Sequence, residues 1–212
     1  MGTQIPSDRP LPSFLTQTRT EAQKRGMGKL LFDLRYRRRR SRQLVGVMLV
    51  FFLTFMAKPT LMLLMFGALT ATVGMLVRLW ASGFVMKNEV LATSGPYGLV
   101  RHPLYVGNLL ICFGFCMACG LWWSYPLSLA MLLFYYPQTI QYEDHHLRNI
   151  FKESWDLWAA ETRALWPRLS PYSDNQYGAS WSLKRSMMRN GEPLHIVVLG
   201  GCLILIYFFR LH

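Results

Sequence analysis

The sequence predicts an all-α, polytopic integral membrane protein, and three observations carry the prediction. Hydrophobic residues fill 52% of the 212 positions and aromatic ones 14%, with a positive mean hydropathy. These residues fall in long blocks rather than alternating as they would along half-buried strands. The charges lie between the blocks. With the N-terminus in the cytoplasm, segments 1–43, 78–101 and 141–193 become the inner ones and hold 11, 3 and 7 of the 23 Lys and Arg residues. Only Lys58 and Arg210 fall outside, so about five transmembrane helices satisfy the positive-inside rule in that orientation alone.

Residues 1–43 form a polar, basic cytoplasmic segment that ends in the run Arg35-Tyr36-Arg37-Arg38-Arg39-Arg40-Ser41-Arg42. The basic run comes late and no small-residue cleavage site succeeds the next apolar stretch, so no signal peptide is expected. Pro6 stands where a myristoylation site wants Ser or Thr. A short amphipathic helix is expected at 29–35. The cluster from Arg37 to Arg42 suits anionic headgroups of the bilayer, and it is equally a topology signal for the next helix. Net charge of +12 does not point to nucleic acid, because the basic residues track the spans and do not line one face of a soluble fold.

Residues 44–169 read as the membrane core, four spans and then an amphipathic helix. The first two spans lie within 44–80 and break at Lys58-Pro59-Thr60. Gly67, Ala71 and Gly74 leave a small-residue face at helical spacing, suited to close helix packing. Residues 78–101 read as a polar connector. A second hairpin comes next, with spans 104–120 and 121–137 turning near Cys119-Gly120, where Trp122, Trp123 and Tyr125 form an interfacial aromatic belt. Residues 141–166 read as an amphipathic helix. Glu143, Leu147, Phe151, Ser154 and Trp158 would share one face, and Asp144 would pair with Arg148 by i, i+4 spacing. A cytoplasmic loop, 170–193, precedes a last transmembrane helix, 194–212.

Cys112, Cys116, Cys119 and Cys202 all lie in apolar segments, where small polarizable side chains are ordinary packing. Cys116 and Cys119 make a CxxC, but no second pair or His cluster accompanies them, so no metal is expected there. His145-His146 beside the acids lacks the repeated His boxes of a membrane di-iron centre.

The chemistry concentrates in Ser94-Gly95-Pro96-Tyr97 and Arg101-His102-Pro103-Leu104-Tyr105. Ser94-Gly95-Pro96 is turn chemistry, and Pro103 suits the first position of a helix, which puts His102 at its N-cap. Arg101 and His102 then stand where an apolar helix meets water, beside open backbone N–H groups and the positive end of the helix dipole. Such a place suits a carboxylate or phosphate. Anchoring at the headgroup level is the alternative use of Arg101.

Gly95-Pro96-Tyr97, Arg101-His102-Pro103, Tyr105 and Gly107 resemble the signature of the integral-membrane methyltransferases that include isoprenylcysteine carboxyl methyltransferases and phospholipid N-methyltransferases. Glu143-Asp144, Leu147, Phe151, Trp155, Trp158 and Pro167 resemble the second signature of that family. The likeness covers about 79–167, with three departures: Asp144 where a second Glu is usual, Lys152 where Gly often succeeds the Phe, and Trp155 and Trp158 in place of Tyr.

The resemblance implies S-adenosylmethionine as cofactor, held by Gly95, Pro96, Tyr97, His102, Pro103, Tyr105, Glu143 and Leu147. It implies a lipid or lipidated acceptor at the cytoplasmic face, in an inner membrane of a prokaryote. Arg101 and Glu143 are the expected catalytic pair: Arg101 to place a carboxylate acceptor, Glu143 to take a proton from an amine. Arg163 joins Arg101 as an expected acceptor contact. A sterol-reductase-like enzyme using NADPH shares the Arg-His-Pro region and is the rival enzyme, and a non-catalytic scaffold binding anionic lipid is the rival of another class.

Overall fold

The computed structural model describes residues 39–86, 89–172 and 180–210. The helix expected at 29–35 lies outside them, as do the side chains of the Arg37 to Arg42 cluster. The chain divides into two units, Met1–Val47 and Met48–His212. Of the first, only the opening turns of one helix are described; the candidate site lies wholly in the second.

The described elements are α1 (Arg39–Met56), α2 (Leu61–Ser82), α3 (Pro96–Leu99), α4 (Pro103–Cys119), α5 (Ser124–Phe151), α6 (Glu153–Glu161), a π-helical turn (Arg185–Arg189) and α7 (Glu192–Arg210). Among the described residues there is no strand, only an isolated bridge between Met86 and Val90. The all-helical class therefore stands. Two helices, Leu61–Ser82 and Glu192–Arg210, are long and apolar enough to cross a membrane.

Lys58-Pro59-Thr60 breaks the first hairpin as its composition requires, and Thr60 caps α2 through its side-chain oxygen, which accepts from the Leu63 N–H at 3.3 Å. One face of α2, with Leu64, Gly67, Ala71, Gly74, Met75 and Arg78, is buried. On the opposite face Met62, Met65, Phe66, Leu69 and Leu76 are exposed. In water each such side chain would forfeit about 1.5–3 kcal/mol of burial, so this face is suited to lipid.

The buried face meets α4 through glycines. A Cβ on Gly74 would stand 2.7 Å from both the Gly107 carbonyl oxygen and the Ile111 nitrogen, which are backbone atoms that cannot turn aside. The small-residue face read from Gly67, Ala71 and Gly74 thus brings two helix backbones into contact. At the far end Gly120 closes α4 at φ 66, and the Lys58 N–H bonds the Cys119 carbonyl at 2.8 Å. Leu53, Leu64, Phe115, Cys119, Cys202 and Ile206 fill one core here, which makes α7 part of the same packing as α1, α2 and α4. All four cysteines are free thiols.

Four expectations need correction. The fourth span does not end at Pro137: α5 runs through it to Phe151 as one helix. An interior proline removes one N–H but does not forbid helix on both sides, and it is best tolerated within a membrane protein. The amphipathic helix is not continuous either. It stops at Lys152, which has φ 48 and ψ −118, and restarts as α6, so the face expected to join Glu143 to Ser154 and Trp158 ends at Phe151. Asp144 does not pair with Arg148. That arginine turns past the break to Asp156, at 2.8 Å. Finally, Arg78 does not open a connector: α2 continues to Ser82, and the arginine is buried within it.

The segment 180–193 is also more than a loop. Asn190 donates to the Ser82 carbonyl at 2.7 Å, Arg185 to the Gly83 carbonyl at 2.7 Å, and Ser186 hydrogen-bonds Ser82. These contacts tie the end of α2 to the start of α7.

Candidate active site

The two motifs read from the sequence meet at one end of the α4 and α5 pair. Pro103 occupies the first turn of α4 and His102 is its N-cap. Gly95, at φ 62, turns the chain into the four-residue α3, where Pro96 leads and Tyr97 is buried. The Trp158 indole donates to the Tyr97 carbonyl at 3.0 Å, so α6 is stapled directly to the first motif. Tyr97, Trp155, Trp158, Ala81 and Leu91 form a second core, with Leu147 and Phe151 packed against it.

The chain after α6 then returns alongside the first motif. Arg101 and His102 donate their backbone N–H groups to the carbonyls of Arg163 and Ala164 at 2.9 and 3.0 Å, and Arg168 and Tyr172 donate to Leu99 and Gly98 at 2.9 and 2.8 Å. Pro167 lies in this returning strip. Arg163 contributes through its main chain, and the residue is otherwise exposed.

The charged centre is built from both motifs. His102 Nε2 lies 2.9 Å from Asp144 Oδ1, and Arg101 Nη1 donates to Asp144 Oδ2 at 3.2 Å. Glu143 accepts from the Tyr105 hydroxyl at 3.0 Å and stands 3.9 Å from His102 Nδ1. The two acids differ in exposure. The Glu143 side chain is 45% exposed and that of Asp144 19%, while His102 is 4% exposed between them. Asp144 is thus committed to Arg101 and His102, and Glu143 faces the open side.

The Trp155 ring lies between two guanidiniums, Arg101 at 5.7 Å and Arg148 at 5.9 Å from its centroid. Arg101 Nε and Trp155 Nε1 are both buried without a hydrogen-bond partner. Burial, and secondarily the Glu143 carboxylate, push the Tyr97 phenol well above its ordinary range, so it stays neutral and donating. Arg101, His102, Tyr105, Glu143, Tyr97 and Leu147 are therefore brought together. Asp144 is the central residue that sequence reasoning passed over; as second member of an acidic pair it offered a signal, but an i, i+4 partner drew it away.

The profile of the phospholipid methyltransferase family matches residues 42–154. That span is more than half of the chain and includes nearly all of α1 and the whole of α2 to α5, with His102, Glu143 and Asp144.

This chain belongs to the phospholipid methyltransferase family.

Members of that family are membrane methyltransferases, kin of the isoprenylcysteine carboxyl methyltransferases. Two relatives extend the match. The chain is 36% identical over 162 residues, 75% of its own length and 71% of the other's, to the cobalt-zinc-cadmium resistance protein CzcN of Cupriavidus metallidurans. It is 38% identical over 128 residues, 58% of each chain, to the nickel-cobalt-cadmium resistance protein NccN of Alcaligenes xylosoxydans xylosoxydans. No solved structure matches. The phospholipid methyltransferase signature thus coincides with the α4 to α5 cluster, and the two tryptophans that depart from the usual Tyr each have a structural task, one donating to Tyr97 and one beneath Arg101.

Proposed function

We propose that this phospholipid methyltransferase family member transfers a methyl group from S-adenosylmethionine to a lipid or lipidated acceptor at the cytoplasmic face of a membrane. The observation that carries the reading is the convergence of Arg101 and His102 at the start of α4 with Glu143 and Asp144 on α5. The donor set fits the amino-acid end of the cofactor. Two buried N–H groups that lack a protein partner, on Arg101 and Trp155, suit a carboxylate, and Glu143 on the open side suits an ammonium. Gly95, Pro96, Tyr97, Pro103 and Leu147 would form the walls.

S-adenosylmethionine, when bound, supplies a methyl group on a sulfonium whose charge is lost on transfer. The protein's part is alignment and the exclusion of water. Arg101 retains Nε for a carboxylate acceptor, since its ion pair with Asp144 uses Nη1. Glu143 has solvent access and can carry a proton away from an amine acceptor. A prenylcysteine-type carboxylate and a phospholipid amine are therefore both compatible acceptors, and the relatives' names, which concern metal resistance, favour neither.

In this reading five spans place the N-terminus and both motifs on the inner face, Arg37 to Arg42 lie at anionic headgroups, and the location is the inner membrane of a bacterium; the two relatives are bacterial. Isothermal titration of the detergent-solubilised protein with S-adenosylmethionine tests it. Binding that is lost in Glu143→Ala and His102→Ala is the expected result. A wild-type protein that takes up no cofactor would end the proposal.

A further inference from the structure

One buried ion pair lies outside the charged cluster of the site. Arg78, near the C-terminal end of α2, forms a two-pronged pair with Glu192 at the start of α7: Nε to Oε2 at 3.0 Å and Nη2 to Oε1 at 2.8 Å. Both side chains are nearly inaccessible, at 9% and 2%. A charge pair so deep in an apolar helix bundle is costly to desolvate, and apolar residues of the same size often serve stability as well or better. Its presence asks what the guanidinium does that a hydrocarbon could not.

The answer lies on its third prong. Arg78 Nη1 donates to the Asn108 side-chain oxygen. A guanidinium has only donors, so this bond fixes which end of the Asn108 amide faces α2 and turns the NH₂ the other way. Asn108 also hydrogen-bonds the Tyr136 phenol. The Tyr136 ring packs edge-on against Tyr105 at 5.0 Å, and Tyr105 holds Glu143. Helices α4 and α5 are thus joined by polar rungs in register: His102 with Asp144, Tyr105 with Glu143, Asn108 with Tyr136.

We propose that Arg78 is a positioning residue for the site: clamped by Glu192 from the C-terminal helix, it orients Asn108, and through Asn108 and Tyr136 it fixes the Tyr105 ring and the Glu143 carboxylate. α7 thereby becomes part of the site's framework. The proposal rests on the cofactor reading only for the binding arm of its test.

The test compares three variants of the full chain: Arg78→Met with Glu192→Met, Asn108→Leu, and the combination of all three. Each carries 3-fluorotyrosine at position 136 and, in a second set, at 105. The double substitution removes both charges together, so neither is left buried alone. Asn108→Leu leaves the ion pair in place. The expected result is a moved fluorine resonance at both tyrosines, a retained cooperative melt, and S-adenosylmethionine affinity weakened about tenfold in both, with the triple variant no worse than either, as for residues acting in series. Fluorine resonances that stay at their wild-type positions in the folded variants overturn the proposal. So does cofactor affinity that holds in both variants, or losses that simply add in the triple. If the double variant does not fold, Asn108→Leu decides on the same readouts. A wild-type protein that fails to bind the cofactor sinks the functional reading, and the two fluorine resonances then decide the positioning proposal on their own.

Discussion

The two adjacent acids should part company when each is neutralised. Asp144→Asn removes the charge that faces Arg101 at 3.2 Å and His102 at 2.9 Å. Asn keeps the shape and one oxygen, so the loss is the difference between charge-assisted and neutral bonds, about 1 kcal/mol for each of two contacts. The partners are largely sheltered, with Arg101 at 18% and His102 at 4% side-chain exposure, so solvent repairs little of it. A total of about 2 kcal/mol corresponds to a melting point lowered by about 4–8 °C for a chain of this size. Glu143→Gln is different, because that side chain is 45% exposed and can keep its contact with the Tyr105 hydroxyl. Its melting point should stay within about 2 °C of wild type, while cofactor affinity falls at least about tenfold through loss of the ammonium's partner. Differential scanning fluorimetry in detergent and titration calorimetry on the same preparations separate the two effects. The reverse order, with Glu143→Gln the destabilising change and Asp144→Asn silent, would refute the assignment of Asp144 to the framework and Glu143 to the open side.

Single contacts give four more expectations. Lys152→Gly should raise the melting point, because Lys152 holds a backbone conformation at φ 48 and ψ −118 that costs a side chain about 1–3 kcal/mol; an unchanged or lowered value would mean that the lysine side chain is the stabilising element. Gly74→Val should prevent a folded, monodisperse preparation on size-exclusion chromatography, since its Cβ would meet Gly107 and Ile111 backbone atoms at 2.7 Å. Trp158→Phe keeps an aromatic ring but orphans the Tyr97 carbonyl, and should cost about 1–3 kcal/mol in denaturant titration. Tyr97 has a folded pKa raised above its ordinary value of 10.0. A group so raised contributes stability that is fully present below pH 10 and lost as pH rises beyond it, so Tyr97→Phe should flatten the alkaline fall in stability.

Much of this fold is legible in the sequence because helix periodicity and turn chemistry are local. Pro103 with His102 at the N-cap, the break at Lys58-Pro59-Thr60 and the glycine face of α2 can be read from neighbours in the chain. The site's two halves can be paired because both motifs carry complementary chemistry. The misses have non-local causes. Pro137 reads as a terminator, but a proline only removes one backbone bond, and packing decides whether the helix continues beyond it. Lys152 gives no turn signal, since Lys is ordinarily a helix former, and the break it makes diverts Arg148 to Asp156 and leaves Asp144 to Arg101. Arg78 stands within an apolar run and reads as its end. Only the arrival of Glu192 from 114 positions away explains how it can be buried.

The central claim is that the cluster of Arg101, His102, Glu143 and Asp144 moves a methyl group onto a membrane lipid or lipidated molecule. Membranes that contain the protein, incubated with S-adenosylmethionine labelled in its methyl group and then extracted into organic solvent, put that claim to the most direct trial. The account predicts label in the extract above that of membranes lacking the protein, abolished by His102→Ala, with release by base marking an ester and resistance to base an amine. Extracts no more radioactive than the control, from a preparation shown to be folded, would contradict it.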